Sequence, residues 1–185
     1  MRARLVIAAA AVALAGCAAE RATTPVVVLP ADRAVEKRSY KRVGMTVSLP
    51  TAALLVRGKS PGVFRASFAE WYVAGLAYKR KEQLPRTRSQ LRAARKRLVA
   101  EVRHRNRKFK LVSARITRAG GSPAIELVGD QVLDKRALRT RSVHVYKGDA
   151  EYVLEMAAPD SQFATLDGAI FDPVVRSLRV TGKPR

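Results

Sequence analysis

The chain has 185 residues, enough for one domain and a short appendage. Lys and Arg number 36 against 15 Asp and Glu, a formal net charge of +21, while 48% hydrophobic residues and only nine prolines exclude a disordered basic tail. One cysteine and two histidines exclude an internal disulfide, a zinc cluster and most imidazole chemistry, so the composition predicts a globular, very basic, metal-poor domain.

Residues 1–16 have the form of a secretory signal peptide. Two arginines precede an unbroken apolar run, Leu5 to Leu14, which is too short to span a bilayer. The run leads into Leu-Ala-Gly-Cys, which resembles the bacterial lipobox, and Cys17 is the only cysteine of the chain. The pattern predicts cleavage between Gly16 and Cys17 and lipidation of Cys17 by palmitate-type acyl chains. The alternative is an ordinary signal peptide followed by an incidental cysteine.

Residues 17–42 are predicted to form the acylated N-terminus and a flexible tether. Prolines interrupt this segment, and no apolar face persists over more than a few residues. Val26–Leu29 is the exception, and it is either a short edge strand or an apolar patch lying on the domain. Removal of the signal peptide takes away two arginines and no acid, which leaves a net charge of +19. An acyl anchor combined with a polybasic surface holds a protein firmly at a membrane.

Residues 43–185 are predicted to form the folded domain. In its first half, apolar and polar residues alternate at Met45–Leu49, Phe64–Phe68 and Tyr72–Tyr78, as in half-buried strands. The period then changes to that of an amphipathic helix from Thr87 to Arg107. The apolar stripe of this helix consists of Leu91, Ala94, Leu98 and Val102.

The second half of the domain is predicted to begin with two hairpins. Strands at Val112–Ile116 and Pro123–Val128 would pair across the tight Gly120-Gly121 reversal. Strands at Arg139–Tyr146 and Glu151–Met156 would pair across the Lys-Gly-Asp turn between them, the clearest hairpin in the sequence.

The C-terminal part is predicted to add a helix and a short strand. Asp160 or Ser161 could cap the helix, Pro173 limits how far it runs, and Ser177–Val180 would form the strand. The elements together predict an α+β domain, with an antiparallel β-sheet of about six or seven strands flanked by two main helices that pack on the sheet. The buried side of the last helix would consist of Phe163, Leu166 and Ile170.

Three segments of the second half carry a resemblance to a known family. Gly121–Glu126 resembles the G-x-P-A strand opening of the PsbP/Mog-type family, and Val145–Leu154 resembles its central hairpin. Phe163 and Phe171, followed by Ser177–Arg179, resemble its closing helix and strand. These motifs are structural rather than chemical.

The resemblance covers roughly residues 43 to 181 and implies a curved antiparallel sheet flanked by helices. Members of the family act as binding or assembly modules rather than as enzymes, and bacterial relatives include lipoproteins of the DcrB and LpqN type. The plant members serve photosystem II and the fungal members bind a small GTPase, but nothing in this sequence supports either role. No functional residue is carried over from the family.

The segment from Lys79 to Lys110 has fourteen Lys and Arg against two Glu, a charge of +12. One interpretation is a platform for anionic lipid headgroups or envelope polyanions, at about 1 kcal/mol per basic side chain near a charged surface. The other is a solvated face that serves only solubility. The candidate contact residues are Arg88, Arg92, Arg95, Lys96, Arg103 and Arg107.

No pattern in the sequence predicts catalysis. There is no G-x-S-x-G elbow, no H-E-x-x-H pair and no phosphate-cradling loop. Asp130 and Asp134, in a predicted loop, are followed at once by two basic residues, which favours surface charge pairing. His104 and His144 are interpreted as structural or merely exposed. The sequence therefore predicts a protein that is not an enzyme and has no cofactor.

These predictions combine into a lipid-anchored module on the extracytoplasmic face of a bacterial cell membrane. Its partners would be the membrane, through acylated Cys17, and an anionic surface, through the basic helix. The alternatives are a protein-interaction module with an unknown protein partner, or a small-molecule carrier, in both of which the charge is incidental. Export argues against nucleic acid as a partner.

Overall fold

The computed structural model describes residues 34–133 and 135–182. The predicted signal peptide, Cys17 and Val26–Leu29 lie outside the described residues. The helical elements are α1 (Arg88–Arg105), α2 (Asp160–Leu166), a π-helical turn (Asp167–Phe171) and α3 (Asp172–Ser177). The strands are β1 (Val35–Tyr40), β2 (Met45–Pro50), β3 (Leu54–Arg57), β4 (Gly62–Phe68), β5 (Trp71–Lys79), β6 (Lys110–Ala119), β7 (Ser122–Leu133), β8 (Arg136–Lys147), β9 (Ala150–Ala158) and β10 (Arg179–Val180).

Seven of these strands form one sheet in the order β3-β4-β5-β9-β8-β7-β6. The other three form a small sheet in the order β1-β2-β10. All neighbouring strands within both sheets are antiparallel. The predicted α+β class and its antiparallel sheet are confirmed.

The two predicted hairpins of the second half are confirmed. Gly120 and Gly121 have φ angles of +56° and +76°, the left-handed conformation that a two-residue turn requires and that glycine adopts without strain. The register then pairs Ala119 with Ser122. The second hairpin pairs Lys147 with Ala150.

The large sheet buries both of its faces. One face packs with the small sheet and the C-terminal helices around side chains that are 0% exposed, including Val47, Tyr152 and Phe171. On the other face, Leu91 and Ala94 of α1 pack with Ile125 and Leu127 of β7. The helices therefore pack on the sheet rather than on each other, as predicted, and α1 covers the β6–β7 end.

The predicted strand at Tyr72–Tyr78 is confirmed, as β5. Its more deeply buried face, however, carries Trp71, Val73 and Gly75. This face is the one that packs with the small sheet and the C-terminal helices. Alternation by itself shows that two faces differ, and the packing partners decide which face is buried more deeply.

Two strands lie where the sequence predicts none. β1 falls within the predicted tether, so the ordered domain begins before residue 43. Its sequence has no alternating pattern because five of its six residues are exposed, and only its pairing with β2 makes it a strand. β3 is missed for a similar reason, since Leu54 is 71% exposed at the edge of the large sheet.

The C-terminal helical segment differs in detail from the prediction. Asp160 is its first residue, Pro159 occupies the N-cap position, and no side chain caps the helix. Pro173 does not end the segment, because it lies in the first turn of α3, where a missing N–H costs nothing. The predicted buried side is confirmed for Phe163, Leu166 and Ile170.

Candidate anion-binding surface beside α1

The helix α1 begins with a capping box. The Thr87 hydroxyl accepts a hydrogen bond from the Gln90 backbone N–H at 3.2 Å, and the Gln90 side-chain oxygen accepts one from the Thr87 N–H at 3.1 Å. The helix ends two residues earlier than predicted, because Asn106 is extended and its side chain accepts a hydrogen bond from the Lys108 N–H. Arg107 therefore lies in the turn after the helix rather than on it.

Three of the predicted contact residues lie together. Arg88, Arg92 and Arg95 line a cleft of about 720 Å³ between α1 and the edge strand β6. The opposite wall is formed by Ile116, Thr117 and a fourth arginine, Arg118. We call this feature the arginine cleft.

The other three predicted contact residues are exposed but do not line the arginine cleft. Lys96 and Arg103 lie on α1 and Arg107 lies beyond it. The sequence analysis missed Arg118, although a signal was present. Arg118 lies two residues after Ile116 on a predicted hairpin, so both side chains share one face of the strand.

The cations of the arginine cleft are not neutralised by neighbouring acids. Among the described residues, none of the four arginines forms an ion pair, and no Asp or Glu lines the cleft. The ion pair within α1 joins Glu101 and Arg105, one turn apart at 3.2 Å. Arg95 reaches the backbone oxygen of Ala114 on β6, at 3.4 Å. Arg118 likewise donates to the backbone oxygen of Gly121, at 2.6 Å. The cleft therefore presents four guanidinium groups whose charge no described acid neutralises.

Three of the described carboxylates are instead paired elsewhere, around Arg141 of β8. Arg141 is 8% exposed and donates to Glu126 at 2.7 Å, to Asp167 at 2.7 Å and to Asp172 at 2.7 Å. The second oxygen of Glu126 is 2.6 Å from Arg115. This cluster joins β7 and β8 to the π-helical turn, on the opposite face of the sheet from α1.

The protonation of this cluster follows from its burial. Burial opposes the charge of Arg141, but the hydrogen bonds to Asp167 and Asp172 outweigh it and raise the pKa of the guanidinium. Burial also raises the pKa of the Asp167 carboxyl, against the effect of Arg141. Glu126, Asp167 and Asp172 thus form ion pairs with Arg141 inside the fold, and they do not neutralise the arginines of the cleft.

A second buried carboxylate, Glu151 of β9, lies on the same face of the sheet as α1. It accepts hydrogen bonds from Arg80 at 2.8 Å and lies 2.8 Å from the ring nitrogen Nδ1 of His144. Burial raises the pKa of Glu151, but His144 and Arg80 together outweigh it and hold that pKa below its ordinary value of 4.5. His144 is thereby explained as a structural partner, while His104 is exposed on α1.

Glu151→Gln should therefore destabilise the protein in a pH-dependent way. A carboxylate with a lowered pKa in the folded state stabilises the fold above pH 4.5, and that stability is lost as the pH falls through the folded pKa. At pH 7 we expect a loss of about 1–3 kcal/mol from the missing charged hydrogen bonds. The difference from wild type should shrink progressively as the pH falls below 4.5, as measured by urea unfolding at several pH values. A difference that is constant from pH 7 to pH 3 would contradict this assignment.

The described residues contain no group of three or more His, Cys, Asp and Glu side chains that could hold a metal ion. None of the described helices is both long enough and apolar enough to cross a membrane. Asp130, which the sequence places in a loop, lies in β7 and pairs with Arg139 of β8 at 2.7 Å. The surface charge pairing predicted for it is thus present, but within the sheet.

Comparison with known proteins rests on structure. No protein-family model matches the sequence, and no curated protein matches it. CyanoP, the cyanobacterial PsbP of Synechocystis, superposes with a TM-score of 0.63 at 12% identity, covering 81% of this chain and 94% of CyanoP. LpqN, involved in cell envelope biogenesis of Mycobacterium tuberculosis, superposes with a TM-score of 0.52 at 14% identity, covering 80% of this chain and 91% of LpqN.

A eukaryotic protein has the same arrangement. The Saccharomyces cerevisiae Ran-binding protein Mog1p superposes with a TM-score of 0.53 at 9% identity, covering 80% of this chain and 96% of Mog1p. Identities this low establish a shared fold and no shared function. The described part of the chain has the PsbP/Mog-type fold, as its sequence motifs predict.

Proposed function

We propose that this protein is a non-enzymatic module of the bacterial cell envelope that is lipid-anchored at Cys17 and docks on anionic membrane lipid. The arginine cleft is the observation that carries the proposal. It places Arg88, Arg92, Arg95 and Arg118 around one opening with no described acid between them. Anionic headgroups attract each such side chain by about 1 kcal/mol near a membrane surface.

The anchor and the cleft support each other. An acylated Cys17 would hold the domain close to the membrane, and a polybasic surface is the second signal that makes such anchoring stable. The segment from Ala18 to Ala34 can span at most about 60 Å, which allows the domain to turn α1 toward the lipid. The similarity in fold to LpqN, a protein involved in cell envelope biogenesis, is consistent with this location.

Co-sedimentation with lipid vesicles tests the docking. The chain from Ala18 onward, without lipid, should bind vesicles that contain phosphatidylglycerol and should not bind vesicles of phosphatidylcholine alone. Binding should weaken steeply between low and physiological salt, because exposed charges are screened within about 8 Å at 0.15 M. If nothing binds at low salt, the charge serves only solubility. If binding persists at high salt, an apolar surface rather than the arginine cleft carries the interaction.

The anchor is tested separately with Cys17→Ala in the full chain. We expect wild type to be processed and to fractionate with the membrane, with acyl mass on its N-terminal residue. The variant should remain unprocessed or be released. Identical fractionation of the two proteins, with no acyl mass on wild type, would contradict the anchor without affecting the vesicle result.

A further inference from the structure

A second cavity lies far from α1, where the small sheet meets the β3–β4 hairpin. It has a volume of about 720 Å³, within the range of about 300–1,000 Å³ that small-molecule sites occupy. β1 and the turn after it form one wall, through residues 38–43, and residues 55–58 and 60–64 form the other. We call this cavity the β1–β3 pocket.

The interior of the β1–β3 pocket is apolar. Leu55, Val63 and Ala77 contribute aliphatic side chains to its lining. Tyr40 and Phe64 contribute two aromatic rings that stack with centroids 5.3 Å apart and an interplanar angle of 15°. A surface of this kind favours a hydrocarbon chain, because each buried methylene contributes about 0.8 kcal/mol.

The same pocket is lined by four cations and no acid. These are Arg38, Lys41, Arg42 and Arg57. Arg38 is paired with Glu36, but the other three form no ion pair with any carboxylate that the structure describes. The lining therefore combines an apolar interior with three uncompensated positive charges.

We infer that the β1–β3 pocket binds a single-chain amphipathic anion, with its acyl chain against the apolar lining and its anionic head on Lys41, Arg42 and Arg57. The head is a carboxylate or a phosphate. The site is separate from the arginine cleft and does not depend on membrane docking. It requires both halves of the ligand, an acyl chain and a charge.

Calorimetric titration of the chain from Ala18 onward tests this with defined probes. Octanoate, decanoate and dodecanoate should bind with affinities that rise about fourfold per added methylene. Decanol, which lacks the charge, should bind at least about tenfold more weakly than decanoate. Decanoyl lysophosphatidylglycerol distinguishes the two heads, since tighter binding than decanoate identifies a phosphate site and weaker binding a carboxylate site. Equal binding of decanol and decanoate, or no saturable binding of any probe, would overturn the inference.

Variants locate the binding. Lys41→Gln combined with Arg57→Gln should weaken decanoate binding about tenfold. Thermal unfolding of each variant checks that the fold is intact. The matched control, Arg88→Gln with Arg92→Gln, should bind decanoate as wild type does. Amide NMR shifts on decanoate addition should fall on β1, β3 and β4. Shifts confined to α1 and β6, or pocket variants that bind as wild type, would overturn the assignment.

Discussion

Arg141→Ala should lower the free energy of unfolding by about 3 kcal/mol, measured by urea unfolding at pH 7. Arg141 is 8% exposed and holds Glu126, Asp167 and Asp172, so its removal leaves buried negative charge without its main partner. We expect the lower end of the usual 3–5 kcal/mol range because Arg115 still contacts Glu126.

The matched control is Arg136→Ala, on the same strand. Arg136 is exposed, and its loss should change stability by less than about 0.5 kcal/mol. A penalty below about 1 kcal/mol at pH 7 would show that the cluster around Arg141 does not hold the C-terminal helices on the sheet.

Reversal of the four charges in the arginine cleft should abolish docking on anionic vesicles. Changing Arg88, Arg92, Arg95 and Arg118 to Glu removes four attractions of about 1 kcal/mol each and adds repulsion, so the partition coefficient should fall by about 100-fold or more. These arginines form no ion pairs among the described residues, so the fold should be retained. Circular dichroism and thermal unfolding verify this.

A control variant of equal net charge distinguishes the contribution of the arginine cleft from that of the total charge of the protein. Four exposed cations away from the cleft, changed to Glu, alter the net charge by the same amount. This control should weaken binding only modestly at physiological salt, because screening limits the influence of distant charges. If both variants lose binding equally, docking depends on total charge and the arginine cleft is not the site. The control positions are Lys37, Lys59, Arg136 and Lys147.

Several parts of the fold could be predicted because local pattern and burial agree. Met45, Val47 and Leu49 alternate and are almost fully buried, and Leu91 and Ala94 recur at helical spacing on the buried side of α1. The double glycine after β6 is a strong turn signal, because glycine adopts without strain the positive φ that both positions of this turn have. When the burial of successive side chains repeats with the period of the helix or strand, that period is visible in the sequence as a regular spacing of apolar residues.

β6 shows where such a pattern fails. Val112, Ala114 and Ile116 alternate in sequence, but a β-bulge between Leu111 and Ser113 shifts the register. Val112 is therefore 54% exposed, while Ala114 and Ile116 face α1. A bulge changes which face a residue occupies without changing the composition of the strand.

The candidate site was only partly predictable. The charge of α1 is evident from the sequence, and three of the six predicted contact residues, Arg88, Arg92 and Arg95, line the same cleft in the structure. Arg118 could not be joined to them, because its distance from α1 depends on how the hairpin packs against the helix. The β1–β3 pocket was beyond prediction for the same reason, since each of its walls includes a strand that no pattern indicates.

The sequence by itself determined the basic character of the chain, its α+β class, the hairpins and the position of α1. These follow from composition, period and turn chemistry, which act between residues close in sequence. Only the tertiary structure decided that β1 and β3 are strands, that Arg141 gathers three acids and that four arginines meet at one cleft. Each of these depends on pairing or packing between segments distant in sequence, and such contacts are specified jointly by both partners.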